Sequence, residues 1–291
     1  MYETLTPILI NGIVLGCLYA MMGLGLSLVW GTLDLVNFAH GEMYMLGAYV
    51  AWIMGNYLNL NPFFSLIVTL PVLFLFAIVM ERFLIKPLRT KEMLVAAEWS
   101  PLLFTFGIAI FLQNFIQQVM GPVFKLNEAL IPGISTILGT PVLNQRILVV
   151  VIAVVLFMSL HLFLKYTKRG MAMRAVAQNK ELALTLGLDV EKTYNIIFGI
   201  GTTAAAIAGV AISSIYVINP HMGATPVLKS FVVSVLGGLG SLPGALLGGV
   251  CLGLAESIGS VYIASEYTYA IGFIIMILLL IFRPRGLLGK K

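Results

Sequence analysis

The stretch VLKSFVVSVLGGLGSLPGALLGGVCLGLAESIGSV, residues 227–261, decides how this chain is built. It is largely apolar, but GGLGSLPG interrupts it at its centre. Glycines and a proline in such a run do not continue a helix. The non-helical backbone that results must face protein or a water-filled cavity if it lies at membrane depth. Its 35 residues are few for two full crossings. We predict two short helices, either re-entrant or just reaching the far membrane face, although a plain tight turn between tilted helices fits equally well. The break itself is formed by Gly237, Gly238, Gly240, Pro243 and Gly244.

The composition of the whole chain indicates that it lies in a lipid bilayer. It is 60% hydrophobic and 10% charged, with a mean hydropathy of +1.02, whereas soluble domains are near 25% charged. We therefore predict an all-α polytopic membrane protein, 1–291 forming a single integral-membrane domain, with about eight transmembrane helices plus the broken element. Apart from that element, apolar runs long enough to cross the bilayer are predicted at 7–30, 36–57, 62–81, 100–120, 146–165, 195–217 and 266–282.

The basic residues predict the orientation of the chain in the membrane. Fourteen of the 17 Lys and Arg lie in three segments, 82–91, 165–192 and 283–291. Short loops rich in Lys and Arg stay in the cytoplasm, so we expect all three segments inside, an outside N-terminus and an inside C-terminus. The loop 121–145 is then periplasmic and the loop 165–194 cytoplasmic. The net charge of +5 reflects this orientation, and no nucleic-acid partner is expected.

No sequence motif supports an enzyme. The chain has no GxxxxGK followed by Ser or Thr, so it cannot bind ATP through a P-loop, and it has no HExxH or CxxC motif. Its three histidines, His40, His161 and His221, lie on different segments without metal-ligand spacing. We expect no metal and no cofactor bound by this chain, and a conduit fits the sequence better than a catalyst.

The stretch DLVNFAHGE, residues 34–42, carries unusually many polar groups for an apolar chain. Asp34 is expected to cap a helix that begins near Leu35. If that helix is continuous, Asn37, His40 and Tyr44 share one of its faces. If it breaks at His40, Glu42 instead falls in the first turn of a new helix, where a negative charge is favoured. Two interpretations stay open for this segment: a polar joint between two helices, or a part of the translocation pathway.

The basic loop between the fifth and sixth spans has a helical pattern. Ala175, Leu182 and Leu186 recur at helical spacing, and Gly187 follows as a helix breaker. Such a helix can lie on anionic lipid, cap the helical bundle, or serve as a docking surface for a cytoplasmic partner.

Five motifs give the chain a resemblance to a known family. ELALTLG, 181–187, resembles the coupling-loop motif EAAxxxG of bacterial ABC importer permeases. Together with it, four further motifs resemble the high-affinity branched-chain amino-acid permeases, the LivH-type subunit: NFAHGE at 37–42, VINPHMG at 217–223, VLGGLGSLPGALLGG at 235–249 and RPRGLLG at 283–289.

The resemblance implies a type II-like permease fold in the bacterial inner membrane. It implies ATP-driven uptake of branched-chain amino acids by alternating access, with a second related permease, two cytoplasmic ATPases that use ATP and Mg, and a periplasmic binding protein as partners. Glu181, Ala183 and Gly187 would then couple the chain to an ATPase. Urea or short amides as substrates, and an ATP-independent channel or carrier, remain alternatives.

Overall fold

The computed structural model describes residues 2–87, 100–263 and 265–289. Within them the chain forms eleven α-helices and one β-hairpin, which confirms a polytopic helical architecture. The helices are α1 Tyr2–Leu33, α2 His40–Leu58, α3 Pro62–Met80, α4 Ser100–Met120, α5 Asn144–Tyr166, α6 Lys168–Gln178, α7 Lys180–Thr185, α8 Val190–Ile212, α9 Ala224–Gly237, α10 Leu242–Tyr262 and α11 Thr268–Phe282.

Six of these helices are long and apolar enough to cross a membrane, namely α1, α3, α4, α5, α8 and α10. A π-helical turn, Glu81–Ile85, lengthens α3. The predicted spans 7–30, 62–81, 100–120 and 146–165 correspond to four of these helices, and 195–217 to a helix that begins and ends about five residues earlier. The predicted span 36–57 corresponds to α2, which is not among the six, so the predicted count of about eight is matched only roughly. The predicted span 266–282 corresponds to α11, a shorter apolar helix of 15 residues.

Helices α1 and α8 form the centre of the bundle. Most of their side chains are buried, whereas most side chains of α3, α4 and α5 are at least partly exposed, as expected for helices that face lipid or a partner chain. The most extensive helix contact joins α1 to α10. Gly16 and Gly253 lie directly against each other there, and Gly249 lies against Ala20. Small residues let helix backbones approach closely in lipid, and these glycines serve that purpose.

Replacing Gly253 by alanine should destabilise the bundle by about 1–3 kcal/mol, because the added Cβ would overlap the backbone of Gly16. Thermal unfolding of the detergent-solubilised protein measures the effect. Gly107→Ala in α4 is the matched control, since nothing described lies within 4 Å of that Cβ position. Equal unfolding temperatures for the two variants would contradict this packing.

The basic segments gather at one end of the bundle, which we call the basic end. Lys86 at the end of α3 lies 3.5 Å from Glu191 at the start of α8. The C-terminal tail reaches the same end, where the Leu287 amide donates to the carbonyl of Leu236 at the end of α9. The three segments predicted to share one membrane side therefore share one end of the fold. Four of their residues, Arg89, Lys91, Lys290 and Lys291, lie outside the described residues.

The opposite end carries the loop 121–145. Its Lys125 backbone pairs with Ile218 beyond the end of α8. Within the loop, strands β1 Ile134–Ile137 and β2 Thr140–Leu143 form an antiparallel hairpin. Leu138 and Gly139 connect the strands with positive φ values of 48° and 77°, as a tight two-residue hairpin turn requires. This hairpin is the departure from the predicted all-α fold.

Helix α9 is a half-length helix that begins inside the bundle. Gly223, just before it, lies against the backbone of Gly41 at the start of α2. His40 in turn contacts the carbonyl of Met22, eleven residues before the end of α1. At 1.5 Å per residue this is about 16 Å from that end, near the middle of a hydrocarbon layer about 30 Å thick. Helix α9 has 14 residues and is about 21 Å long, too short to cross such a layer completely.

The broken element differs from the prediction in one respect. Helix α9 has 14 residues and is short, as predicted, but α10 has 21 residues and is long enough to cross. The turn between them lies at the basic end, where Gly240 contacts Gly31 near the end of α1. The chain thus enters at mid-depth through α9, turns at the basic end and crosses fully through α10.

Candidate functional site

A short linker, residues 34–39, returns the chain from the end of α1 to the middle of the bundle. Asp34 is exposed and has a φ of 50°, and its amide donates to the Trp30 carbonyl at 3.1 Å. It therefore ends α1. The prediction that Asp34 caps a helix beginning near Leu35 is wrong, because α2 begins at His40 and its N-cap residue is Ala39.

Thr105 of α4 forms hydrogen bonds with backbone groups of the linker. The Phe38 amide donates to its hydroxyl oxygen, and the hydroxyl lies 3.2 Å from the carbonyl of Val36. Thr105 is fully buried. Because lipid offers no hydrogen bonds to non-helical backbone, this side chain allows the linker to lie inside the bundle.

His40 joins α2 to α1. It is fully buried, and its Nε2 lies 3.1 Å from the carbonyl oxygen of Met22, to which it donates a hydrogen bond. Its ring lies beside Gly25, where a larger residue would collide with it. The structure thus has the break at His40 and not a continuous helix from 35.

A chain of polar side chains runs from Glu42 to the protein surface. The Gln113 amide of α4 donates to Oε1 of Glu42 at 2.8 Å. The Nδ1 of His221 lies 3.3 Å from the Gln113 carbonyl oxygen. Glu42 is buried, Gln113 is partly exposed and His221 is exposed. Two hydrogen bonds therefore connect the buried carboxylate of Glu42 to the exposed side chain of His221.

The helix N-termini of α2 and α9 meet beside Glu42. Gly41 and Gly223 touch backbone to backbone, so neither position has room for a side chain. Neither helix has a side-chain cap. Glu42 lies in the first turn of α2, as predicted for a chain that breaks at His40. The partial positive charges of the N-termini favour a carboxylate there, which makes a charge at this depth tolerable.

Four buried polar atoms of this segment have no hydrogen-bond partner in the described part of the chain. They are Asn37 Oδ1 and Nδ2, His40 Nδ1 and Glu42 Oε2. The three predicted residues are all buried, where the linker leads into α2. Buried polar atoms without partners are rare in folded proteins and are a feature of functional sites.

An ion pair inside the bundle was not predicted. Lys229 of α9 and Glu256 of α10 form a buried salt bridge. Tyr19 of α1 donates to the other Glu256 oxygen at 2.8 Å, and the Lys229 ammonium lies 4.8 Å from the ring centre of Tyr269. The sequence signal was a lysine and a glutamate within one largely apolar stretch, but their 27-residue separation gave no reason to pair them.

The predicted coupling segment forms two helices, α6 and α7, separated at Asn179. Gly187 has a φ of 76° and ends the segment, as predicted for a helix breaker. Ala183 is buried against its own chain, and Glu181 is exposed. The single helix predicted from the repeat of Ala175, Leu182 and Leu186 is interrupted at Asn179, and both leucines are exposed.

The glycines of the broken element lie together at the basic end. Gly237 and Gly244 are in backbone contact across the turn. Gly238 and Gly240 have positive φ values of 93° and 78°, which only glycine adopts without strain. Pro243 lies in the first turn of α10, where proline is well tolerated. No group of three or more His, Cys, Asp or Glu in the described ranges is arranged to hold a metal.

The chain matches a family model along nearly its whole length. Residues 8–280 match the family described as branched-chain amino acid transport system / permease component. No solved structure matches the chain significantly.

Curated relatives are similar over the same extent. The high-affinity branched-chain amino acid transport system permease protein LivH of Escherichia coli is 33% identical over 96% of this chain and 94% of its own length. The corresponding protein BraD of Pseudomonas aeruginosa is 34% identical over 97% of this chain and 95% of its own length. A probable branched-chain amino acid transport permease protein LivM of Methanocaldococcus jannaschii is 27% identical over 47% of this chain and 46% of its own length.

Proposed function

The chain belongs to the family of branched-chain amino acid transport permeases, and we propose that it is the membrane-spanning subunit of an ATP-driven importer of leucine, isoleucine and valine. The observation that carries this proposal is the near-complete match to relatives named as high-affinity permeases for these amino acids. The chain moves its substrate by alternating access and leaves ATP hydrolysis to separate subunits.

Competition for uptake tests the substrate class. The chain is expressed with its partner subunits in cells that lack their own branched-chain amino-acid uptake, and entry of labelled leucine is measured. Excess isoleucine or valine should block that entry, whereas urea and short amides should not. Block by urea or amides would instead support the alternative substrates, and uptake that persists with an inactive ATPase subunit would support an ATP-independent carrier.

A polar face at the protein surface supports a pathway beside Glu42. Gln113 and His221 reach this surface, and the hydroxyls of Thr225 and Tyr269 lie 3.3 Å apart on it. Exposed polar groups at membrane depth are costly against lipid but suit a water-filled or protein-covered surface. We place the translocation pathway here, with Glu42 supplying negative charge toward the α-ammonium group of the passing amino acid.

The assembly completes that pathway. A second permease subunit covers the polar face, a pairing supported by the partial similarity to a LivM relative. Two cytoplasmic ATPase subunits bind at the basic end and hydrolyse Mg-ATP. A periplasmic binding protein delivers the amino acid at the opposite end, which carries the loop 121–145.

The basic end faces the cytoplasm of a bacterial cell, because short basic loops are retained inside. Single cysteines at Lys125 and Lys180 should therefore react with a membrane-impermeant maleimide from opposite sides. In intact spheroplasts the cysteine at 125 should label and the one at 180 should not. Labelling of both from one side would refute this orientation.

The coupling segment presents its leucines to the ATPase. Leu182, Leu184 and Leu186 are exposed on a segment that is otherwise polar, and an apolar patch of this kind is typical of a docking surface. Glu181 adds a carboxylate, and Gly187 allows the chain to turn away directly after it. Ala183 supports the segment from the inside.

Gly187→Glu should leave the complex assembled but abolish stimulation of the ATPase by the loaded binding protein, and uptake should fall to near background. The space around Gly187 is open, so the glutamate acts through its charge and bulk on the partner. Gly187→Ala is the control, because it carries the same strain from the positive φ without the bulky charge. Normal stimulation and uptake in Gly187→Glu would show that this segment does not couple the two subunits.

A further inference from the structure

A cavity at the basic end lies outside the site described above. Its volume is about 840 Å³, and it is enclosed by the end of α5, helix α6, the turn between α9 and α10, and the tail. It has both polar and apolar walls: Leu164, Leu239 and Leu242 contribute apolar surface. The charged residues on its walls are all basic.

Three basic side chains line this cavity. His161 and Lys165 lie one turn apart on α5, and Arg174 of α6 lines the same cavity. None of the residues that line the cavity is acidic. Arg174 Nη1 is buried without a hydrogen-bond partner among the described residues. A buried guanidinium N–H of this kind calls for an acceptor, and an oxyanion is the acceptor that arginine matches best.

The start of α10 adds to the positive character of the cavity. Ser241, Leu242 and Pro243 also line the cavity, at the N-terminus of a 21-residue helix whose Gly244 amide is capped by the Ser241 hydroxyl. The partial positive charge of a helix N-terminus favours phosphate groups. The basic side chains and the N-terminus of α10 therefore both favour a phosphate group in this cavity.

The position of the cavity indicates where that ligand comes from. Few residues of helix α5 are buried, and Met158 and Leu162 near its end are exposed, so we expect this end of the helix to border lipid. It ends at Tyr166, an exposed aromatic residue of the type found at membrane interfaces. The cavity therefore opens at the height of the phospholipid headgroups, and its leucines can receive the adjoining part of a lipid.

We propose that this cavity binds the phosphate group of an anionic phospholipid from the cytoplasmic leaflet. Lys165 and Arg174 hold the phosphate oxygens, and His161 and the start of α10 complete the site. Basic pockets on the cytoplasmic side of membrane proteins bind lipid headgroups in this way. The bound lipid then contacts both helix α6 of the coupling segment and the turn between α9 and α10.

Lipid retention by the assembled transporter tests the proposal without measuring transport, so its outcome is independent of the proposed substrate. The complex is reconstituted in phosphatidylcholine nanodiscs that contain phosphatidylglycerol with a photoactivatable headgroup, and crosslinking to this chain is quantified by mass spectrometry. Peptides from α5 and α6 should carry the crosslink. Lys165→Gln or Arg174→Gln should each weaken binding about fivefold and the double variant about thirtyfold.

Lys168→Gln/Arg169→Gln is the matched control. These two cations are exposed on the same helix segment, outside the cavity, and their removal should leave crosslinking within twofold, roughly the effect of weak surface screening. Equal losses for both double variants would show a diffuse surface attraction and overturn the proposal. So would displacement of the lipid by inorganic phosphate at physiological concentration, because the ligand would then be a soluble anion.

Size-exclusion chromatography of each variant complex shows whether a loss of crosslinking results from unfolding or failed assembly. Lys165 is exposed, so Lys165→Gln should assemble normally even if Arg174→Gln does not. Unchanged crosslinking in a correctly assembled Lys165→Gln complex would by itself contradict the proposed site.

Discussion

Lys229→Met is expected to be among the most destabilising single substitutions in this chain. The side chains of Lys229 and Glu256 are only 4% and 1% exposed, so the substitution leaves a buried carboxylate without its cation. Breaking a buried pair from one side costs about 3–5 kcal/mol. We expect low abundance in the membrane, and a strongly lowered unfolding temperature for the protein that is recovered.

The exposed ion pair of Lys86 and Glu191 provides the matched control. Its side chains are 40% and 37% exposed, and Lys86→Met should cost no more than about 1 kcal/mol. The double variant Lys229→Met/Glu256→Gln should recover much of the lost stability, because it removes both charges and keeps an acceptor for the Tyr19 hydroxyl. Similar stability of Lys229→Met and Lys86→Met would show that the buried pair does not stabilise the bundle.

Glu42→Gln is expected to reduce uptake by at least about tenfold while membrane abundance stays normal. The glutamine keeps the size of the side chain and an oxygen for the Gln113 amide, so the joint between α2 and α4 is retained. The substitution removes the negative charge that we propose interacts with the ammonium group of the substrate. Hydrogen bonds to charged groups contribute about 1.5–3 kcal/mol, which corresponds to a loss of at least about tenfold. Uptake of labelled leucine at saturating binding protein measures the effect.

Glu128→Gln is the control for Glu42, because Glu128 is an exposed carboxylate in the loop at the opposite end. It should transport normally. Normal uptake by Glu42→Gln at normal abundance would remove Glu42 from the pathway. Reduced abundance instead would indicate that Glu42 serves the fold, as a charge that joins the N-termini of α2 and α9.

The sequence predicted most of the fold because hydropathy reports burial in lipid directly. The ends of α3 and α4 were predicted to within a few residues. The gathering of the basic segments at one end followed from their distribution alone. These features depend on local composition, which a single sequence contains.

The parts of the structure that depend on distant contacts could not be predicted in the same way. Nothing local in 34–39 shows that Thr105 supplies hydrogen bonds to it, so the alternatives for the helix start stayed open. The interruption at Asn179 was not predicted either, because the spacing of Ala175, Leu182 and Leu186 fits one continuous helix as well as two short ones.

The candidate site was only partly visible in the sequence. Asn37, His40 and Glu42 stood out because polar residues are rare in apolar chains. Their partners Gln113 and His221 did not stand out, since each lies on another segment and is ordinary in its own surroundings. Only the packing of α4 and of residues 213–223 against α2 brings these side chains together.

ATP-driven accumulation of leucine by the purified complex tests the central claim most directly. The complex of this chain with its second permease and two ATPases is reconstituted in liposomes, with loaded binding protein on the side opposite to the ATPases. Leucine should accumulate against its gradient only when Mg-ATP is present on the ATPase side, and replacement of this chain by its Gly187→Glu variant should abolish the accumulation. Leucine movement that is independent of ATP, or accumulation that continues without this chain, would contradict the account.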